Sequence, residues 1–332
     1  MENKKKILLT GGAGFIGSNL IPVLLDDDRV ELVRIFDNLS TGERGNFKEY
    51  LDHPKFEFMW GDIREYNSCM EACQGMDLIS HQAALGSIPR SIKAPLTTNN
   101  VNITGTLNIF TAAKDCKIKR VVFAASSSTY GDSTTLPKRE EIIGDPISPY
   151  AVTKLVNELY ARVFSRIFDI EFIGLRYFNV FGKKQNPHGA YAAVIPLFIN
   201  AILEDKPITI NGDGEQSRDF TYIKNVVQAN VKALFTENPK AVNEIYNVAC
   251  GQRITINELF YSLKEIAGSD IEPQYRSSRL GDIKHSLADI SKAKNLLGYE
   301  PTHDVKAGLK EVYEWYRKKL QREKIEASLA EL

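Results

Sequence analysis

A strand-like run, KKILLT from Lys5 to Thr10, passes without a linker into GGAGFIGSNL. Gly12, Gly14 and Gly17 fit G-x-G-x-x-G, and Gly11, Gly14 and Gly17 equally fit G-x-x-G-x-x-G. In either register, glycines let the backbone turn tightly and approach a pyrophosphate, which then sits on the N-terminus of a helix expected over residues 15–25. A glycine triplet alone is often only a turn. Between a strand and a helix it points to a nucleotide-binding βαβ unit.

The next strand, expected over 31–36, ends in Asp37, about 20 residues past Gly17, where a carboxylate accepts from adenosine ribose hydroxyls. Asn38 follows rather than Arg, so a 2′-phosphate would meet negative charge without a counter-ion. That favours NAD over NADP. Further strands are expected over 55–60, 76–81, 120–125 and 171–176, alternating with helical segments over 67–73, 100–114 and 150–168. The alternation predicts an α/β fold, a Rossmann-like doubly wound parallel sheet. Its ligand crevice lies at the strand C-termini, where Gly11, Asp37, Asp62, Ala83 and Ser126 fall, with Asp62 and Ile63 expected to frame the adenine.

Tyr150 and Lys154 are spaced i, i+4 in a helical pattern, so both side chains leave one helix face. A free tyrosine, with a pKa of about 10, is a poor base at neutral pH, but a nearby ammonium, helped by an oxidised nicotinamide, favours the phenolate. Tyr150 is thus a candidate proton acceptor. The buried-strand run RVVFAA ends directly in Ser126, Ser127 and Ser128, which places hydroxyls at the crevice. Such Tyr-to-Lys spacing also arises from an exposed lysine beside a half-buried tyrosine; the serine cluster and the glycine turn favour the catalytic reading.

The 332 residues are 43% hydrophobic and 25% charged, which suits a soluble globular chain. With 42 basic and 42 acidic residues there is no electrostatic reason to expect a nucleic acid or membrane as partner, and a small molecule is expected instead. ILLT is too short for a signal segment, so a cytoplasmic location is expected. Cys69, Cys73, Cys116 and Cys250 form no paired framework and read as buried thiols; the five scattered histidines predict no metal. After residue 176 a turn-rich stretch with Gly182, Asn186, Pro187 and Gly189 reads as a binding segment. We expect an NAD-binding domain over 1–178, rejoined by segments around 219–248 and 283–298. Residues 179–332 would mainly form a smaller C-terminal α/β substrate domain, with a solvated helix end from residue 318.

These pieces together resemble the extended short-chain dehydrogenase/reductase family over nearly the whole chain. The motifs that carry the likeness are TGGAGFIG (10–17), SSSTYG (126–131), YAVTK (150–154), LRYFNVFG (175–182), GDGEQSRDF (212–220) and RLGD (279–282). Within the family the chain is most like nucleotide-sugar 4-epimerases, and HQAALGSIPRS (81–91), NPHGAYAAVIP (186–196) and KHSLAD (284–289) look like the branch acting on UDP-N-acetylhexosamines.

The resemblance implies that Ser126 and Tyr150 contact the sugar 4-hydroxyl while Lys154 holds the nicotinamide ribose. It completes the cofactor set with Phe15, Ile16, Ser40, Thr41, Gly42, Gln82, Ala84, Asn99 and Tyr177. To the UDP-sugar it assigns Asn179, Ala193, Val194, Thr209, Asn211, Arg218, Arg279 and Asp282, with Ser127 and Ser128 beside the sugar. Sister enzymes that dehydrate or decarboxylate carry acidic residues at positions matching Ser127 or Ser128, so epimerisation is expected. Ser286 stands where galactose-type epimerases carry a bulky aromatic, leaving room for an N-acetyl group beside Gly86 and Ser87. UDP-N-acetylglucosamine and UDP-N-acetylgalactosamine are the expected pair, for polysaccharide biosynthesis; UDP-glucose or UDP-uronate epimerisation and a non-catalytic NAD-binding scaffold are the alternatives. A homodimer built on helices matching 100–114 and 150–168 is also expected by likeness.

Overall fold

The computed structural model describes residues 4–187, 193–277 and 284–330. Seven strands form one sheet: β1 (Lys5–Thr10), β2 (Val30–Asp37), β3 (Phe56–Trp60), β4 (Leu78–His81), β5 (Arg120–Ser126), β6 (Glu171–Tyr177) and β7 (Glu244–Val248). All neighbours pair in parallel, in the order β7-β6-β5-β4-β1-β2-β3. The short strands Ile208–Asn211 and Pro273–Arg276 pair separately, also in parallel.

Strand alternation distributes side chains between two cores. Ile7 and Leu9 of β1 enter one and Leu8 the other; Val122 of β5 enters the first, Val121 and Phe123 the second. Burial on both faces is why these strands read as continuous apolar runs. Helices Phe15–Leu25 and Ile223–Phe235 supply the first core through Leu20, Leu24, Val226 and Ala229. Tyr66–Cys73, Gly105–Asp115 and Pro149–Ile167 supply the second through Ala72, Phe110 and Ala161. The neighbours β1 and β4 therefore send their chains to opposite faces, which opens a crevice at their C-terminal ends.

The helix expected over 100–114 is instead Pro95–Asn99, a π-helical turn Asn100–Thr104, and Gly105–Asp115. The start of Gly105–Asp115 packs so closely that a Cβ on Gly105 would lie 2.6 Å from the Ile63 side chain. Pro149–Ile167 starts where Ser148 accepts from the Ala151 N–H (3.2 Å) and Pro149 occupies the first helical position, which places Tyr150 in the first turn.

Two buried polar clusters brace the sheet. Glu158 accepts from Arg176 at 2.9 and 2.7 Å, and Arg176 also donates to the Glu140 carbonyl and lies 4.8 Å from the Tyr130 ring centroid. His81, at the end of β4, bonds Thr10 Oγ1 (2.7 Å) and Thr106 Oγ1 (2.9 Å). All four cysteines are free; Cys69 and Cys73 are buried, whereas Cys116 and Cys250 are partly exposed. Among the described residues no group of His, Cys, Asp and Glu could hold a metal ion, and no helix is long and apolar enough to cross a membrane.

Burial, with the Lys154 charge adding to it, pushes His81 down to about 3. An unfolded histidine titrates near about 6.5. Between those values the unfolded chain binds the extra proton, so stability is expected to fall as pH drops through that window. In urea titrations between pH 7 and 5, His81→Gln should flatten the slope by up to about 1.4 kcal/mol per pH unit. Parallel curves for the two proteins would refute this.

Candidate active site

A cleft of about 710 Å³ lies across the C-terminal ends of the strands. Gly11, Gly14, Phe15, Ile16 and Gly17 line it from the turn after β1, and Asp37, Asn38, Ser40 and Thr41 from β2 and its loop. Asp62 and Ile63 follow β3, and Gln82, Ala83, Ala84 and Gly86 follow β4. Ser126, Tyr150, Lys154 and Tyr177 close the other end.

The glycine turn leaves space that side chains would fill. Gly11 has φ +69, and a Cβ there would sit 2.7 Å from the Ala83 nitrogen; one on Gly17 would sit 2.2 Å from the Gly11 carbonyl oxygen. Gly14 caps helix Phe15–Leu25 without a side-chain bond, and the first turn holds no acid, so its N–H groups suit an anion. These features fit a dinucleotide. The Asp37 carboxylate braces this turn by accepting from Ala13 (3.0 Å) and Leu39 (2.8 Å). It therefore caps its own turn as well as facing the cleft. Asn38 donates to Asp62, whose bidentate partner Arg64 holds it at about 2. Two carboxylates beside the predicted ribose position oppose a 2′-phosphate.

At the other end Lys154, 4% exposed, donates to the Ala124 carbonyl at 2.7 Å. Burial pulls its pKa down to about 8, against the Glu158 charge one helical turn on. Burial raises the Tyr150 pKa, and a hydrogen bond with Ser126 opposes this. Ser126 Oγ accepts from the Ser128 N–H (3.1 Å) and hydroxyl (2.9 Å). Tyr177 donates to Gln82 Oε1 at 3.1 Å.

A second cavity, of about 250 Å³, adjoins the first through Val180, which lines both. Asn179, Ala193, Val194, Thr209, Asn211 and Arg218 all line it. Arg218 donates through Nη1 to the Ser217 (3.0 Å) and Lys284 (3.2 Å) carbonyls. Arg279 and Asp282 lie outside the described residues.

Several expected residues stand elsewhere. Gly42 is not part of the cleft wall but packs against Ala13, where a Cβ would come within 2.7 Å. Asn99 is exposed and off the cleft; within the π-helical turn, Val101 reaches the wall while Asn102 is buried, bonded to Leu85 and Thr153. Ser87 caps helix Ile88–Lys93, and Ser127 and Ser128 form a 3-10 turn behind Ser126. Ser286 is half-buried, its N–H on the Ser217 carbonyl, outside both linings. Sequence reasoning missed Arg90 and Gln185 on the first wall and Gln216 and Phe220 on the second. Only the motifs HQAALGSIPRS and GDGEQSRDF, which contain Arg90, Gln216 and Phe220, carried a signal for any of them.

The chain matches the NAD dependent epimerase/dehydratase family over residues 7–249. It is 37% identical over 313 residues to a putative UDP-glucose 4-epimerase of Methanocaldococcus jannaschii, covering 94% of this chain and 98% of that one. A solved UDP-N-acetylglucosamine 4-epimerase from Methanobrevibacter ruminantium M1, in complex with UDP-N-acetylmuramic acid, is 39% identical with a TM-score of 0.88, covering 96% and 99%. A mutant UDP-glucuronic acid 4-epimerase from Bacillus cereus, bound to UDP-4-deoxy-4-fluoro-glucuronic acid and NAD, is 33% identical with a TM-score of 0.87, covering 95% and 99%. On this likeness, along almost its whole length, the chain belongs to the NAD dependent epimerase/dehydratase family and uses NAD as its cofactor.

Proposed function

We propose that the protein is a UDP-sugar 4-epimerase whose substrates are UDP-N-acetylglucosamine and UDP-N-acetylgalactosamine. The observation that carries the epimerase reading is Ser126, Tyr150 and Lys154 gathered at one end of the cleft with no carboxylate on the described wall beside them. Asp37 and Asp62 are the acids on the described wall, and both stand at the far end, after β2 and β3. Elimination or decarboxylation would need a further carboxylic acid or base beside Tyr150, and the described wall carries none at this end, which favours return of hydrogen to C4.

NAD, when bound, would supply the removal of hydride from C4 and its return, and its oxidised ring would add positive charge. The chain's residues manage the proton. Tyr150 takes it from the sugar 4-hydroxyl and gives it back, while Ser126 shares the hydrogen bond and orients both oxygens. Burial holds the phenol protonated, so nearby positive charge sets when it ionises. Lys154, pinned to the Ala124 carbonyl, contributes that charge from within the protein. Arg218 and Asn179 in the second cavity suit a diphosphate and its nucleoside, which must stay held while the sugar turns.

The acetamido preference is supported by likeness to a UDP-N-acetylglucosamine 4-epimerase and by open space beside Gly86, where a Cβ would meet nothing within 4 Å. Because Ser286 lines neither cavity, the preference rests on Gly86 instead. Relatives named for UDP-glucose and UDP-glucuronate make those sugars the comparison substrates. We read the segment from residue 179 onward as the nucleotide-sugar lobe. Val152, Leu159, Val163 and Ile167, 45–65% exposed on helix Pro149–Ile167, support a homodimer through that helix; a monomeric mass by light scattering would contradict it.

Denatured protein is expected to release NAD, and intact protein to convert UDP-N-acetylglucosamine faster than UDP-glucose or UDP-glucuronate. The reverse order would remove the acetamido assignment, and no conversion of any of the three would remove the epimerase reading. Tyr150→Phe should lower kcat by roughly 10²–10⁴-fold with NAD content unchanged. Full activity in that variant would exclude Tyr150 as the proton carrier.

A further inference from the structure

Asp219 is fully buried in a stretch whose sequence gives it no obvious task. Its carboxylate accepts three main-chain N–H groups from two distant segments: Cys250 at 3.0 Å on Oδ1, and Gly251 at 3.1 Å and Ala288 at 3.2 Å on Oδ2. Cys250 and Gly251 are adjacent, and the φ of +70 at Gly251 is a backbone turn that side chains rarely adopt. Successive N–H groups converging in this way form an anion seat within the protein. Burial pushes the carboxyl up to about 7, and the three N–H groups act against that.

What the seat holds in place faces the second cavity. The Asp219 carbonyl accepts from Asn179 Nδ2 at 3.0 Å, and Asn179 keeps a φ of 36. On the other side Ser217, joined to Arg218 in the strand Ser217–Arg218, pairs its backbone with Lys284 and Ser286, close before Ala288. One carboxylate thus joins the end of β7, the strand bearing Arg218 and the segment beneath it.

We propose that Asp219 is a positioning residue for the UDP end of the substrate site, fixing Arg218 and Asn179 by gathering the N–H groups of Cys250, Gly251 and Ala288. It touches no substrate itself. The inference rests on the UDP-sugar reading above. An amide cannot replace the carboxylate, because its NH2 would confront an N–H donor where an acceptor is needed.

In Asp219→Asn the Kd for UDP by calorimetry and the KM for the UDP-sugar should rise by about tenfold or more, with kcat and NAD content near those of the unaltered enzyme. In an Arg218→Ala background the same change should have a smaller further effect, the share carried through Asn179. Unchanged UDP affinity in a folded Asp219→Asn protein would overturn the proposal, as would loss of NAD and kcat alongside affinity. Should the variant not fold, hydrogen exchange on the unaltered enzyme decides: UDP should slow exchange at Cys250, Gly251 and Ala288, and no slowing would overturn it. If the unaltered enzyme neither binds UDP nor converts a UDP-sugar, the functional reading fails rather than this one.

Discussion

Glu158 and Arg176 face each other inside the protein, 3% and 4% exposed, joined by two charge-assisted hydrogen bonds. Glu158 lies one turn beyond Lys154 on helix Pro149–Ile167, and Arg176 sits on β6 opposite Ala125 of β5. The pair therefore sets how the helix bearing Tyr150 and Lys154 meets the sheet that bears Ser126. Two charges taken out of water are costly unless the geometry is good and the remaining donors are bonded. Here the Glu140 carbonyl and the Tyr130 ring complete the surroundings of the guanidinium. Neither charge can be lost alone without leaving the other buried and unpaired.

At the cofactor end steric limits take over from charge. Gly11 and Gly17 are close enough to neighbouring backbone that any side chain would push the turn apart. Asp37 braces the same turn from β2, so the carboxylate expected to meet the ribose also holds the loop that would meet the pyrophosphate. The two halves of the cleft are thus built differently, one by absence of side chains and the other by buried polar contacts.

Much of this was legible in the chain. The strands stood out because burial on both faces makes them uniformly apolar, and β1 and helix Phe15–Leu25 fall where the glycine turn requires. The π-helical turn at Asn100–Thr104 was not legible, since apolar periodicity does not register one added residue. The packing of Gly42 against Ala13 was not legible either, because a glycine needed for packing and one needed for a ligand look alike in sequence. The spacing of Tyr150 and Lys154 was legible, but the burial that raises the Tyr150 pKa was not, because it depends on what the fold packs around the ring. The role of Asp219 could not be read at all, because its partners are main-chain atoms far along the chain.

Lys154 is held by the carbonyl oxygen of Ala124, a main-chain atom at the end of β5. No change of side chain at position 124 can delete that acceptor. The wall residues around the sugar are therefore at liberty to vary in size and polarity while the cation stays registered to the strand. On the proposed function, a scaffold of this kind could alter which sugar it admits without rebuilding the part that would move the proton.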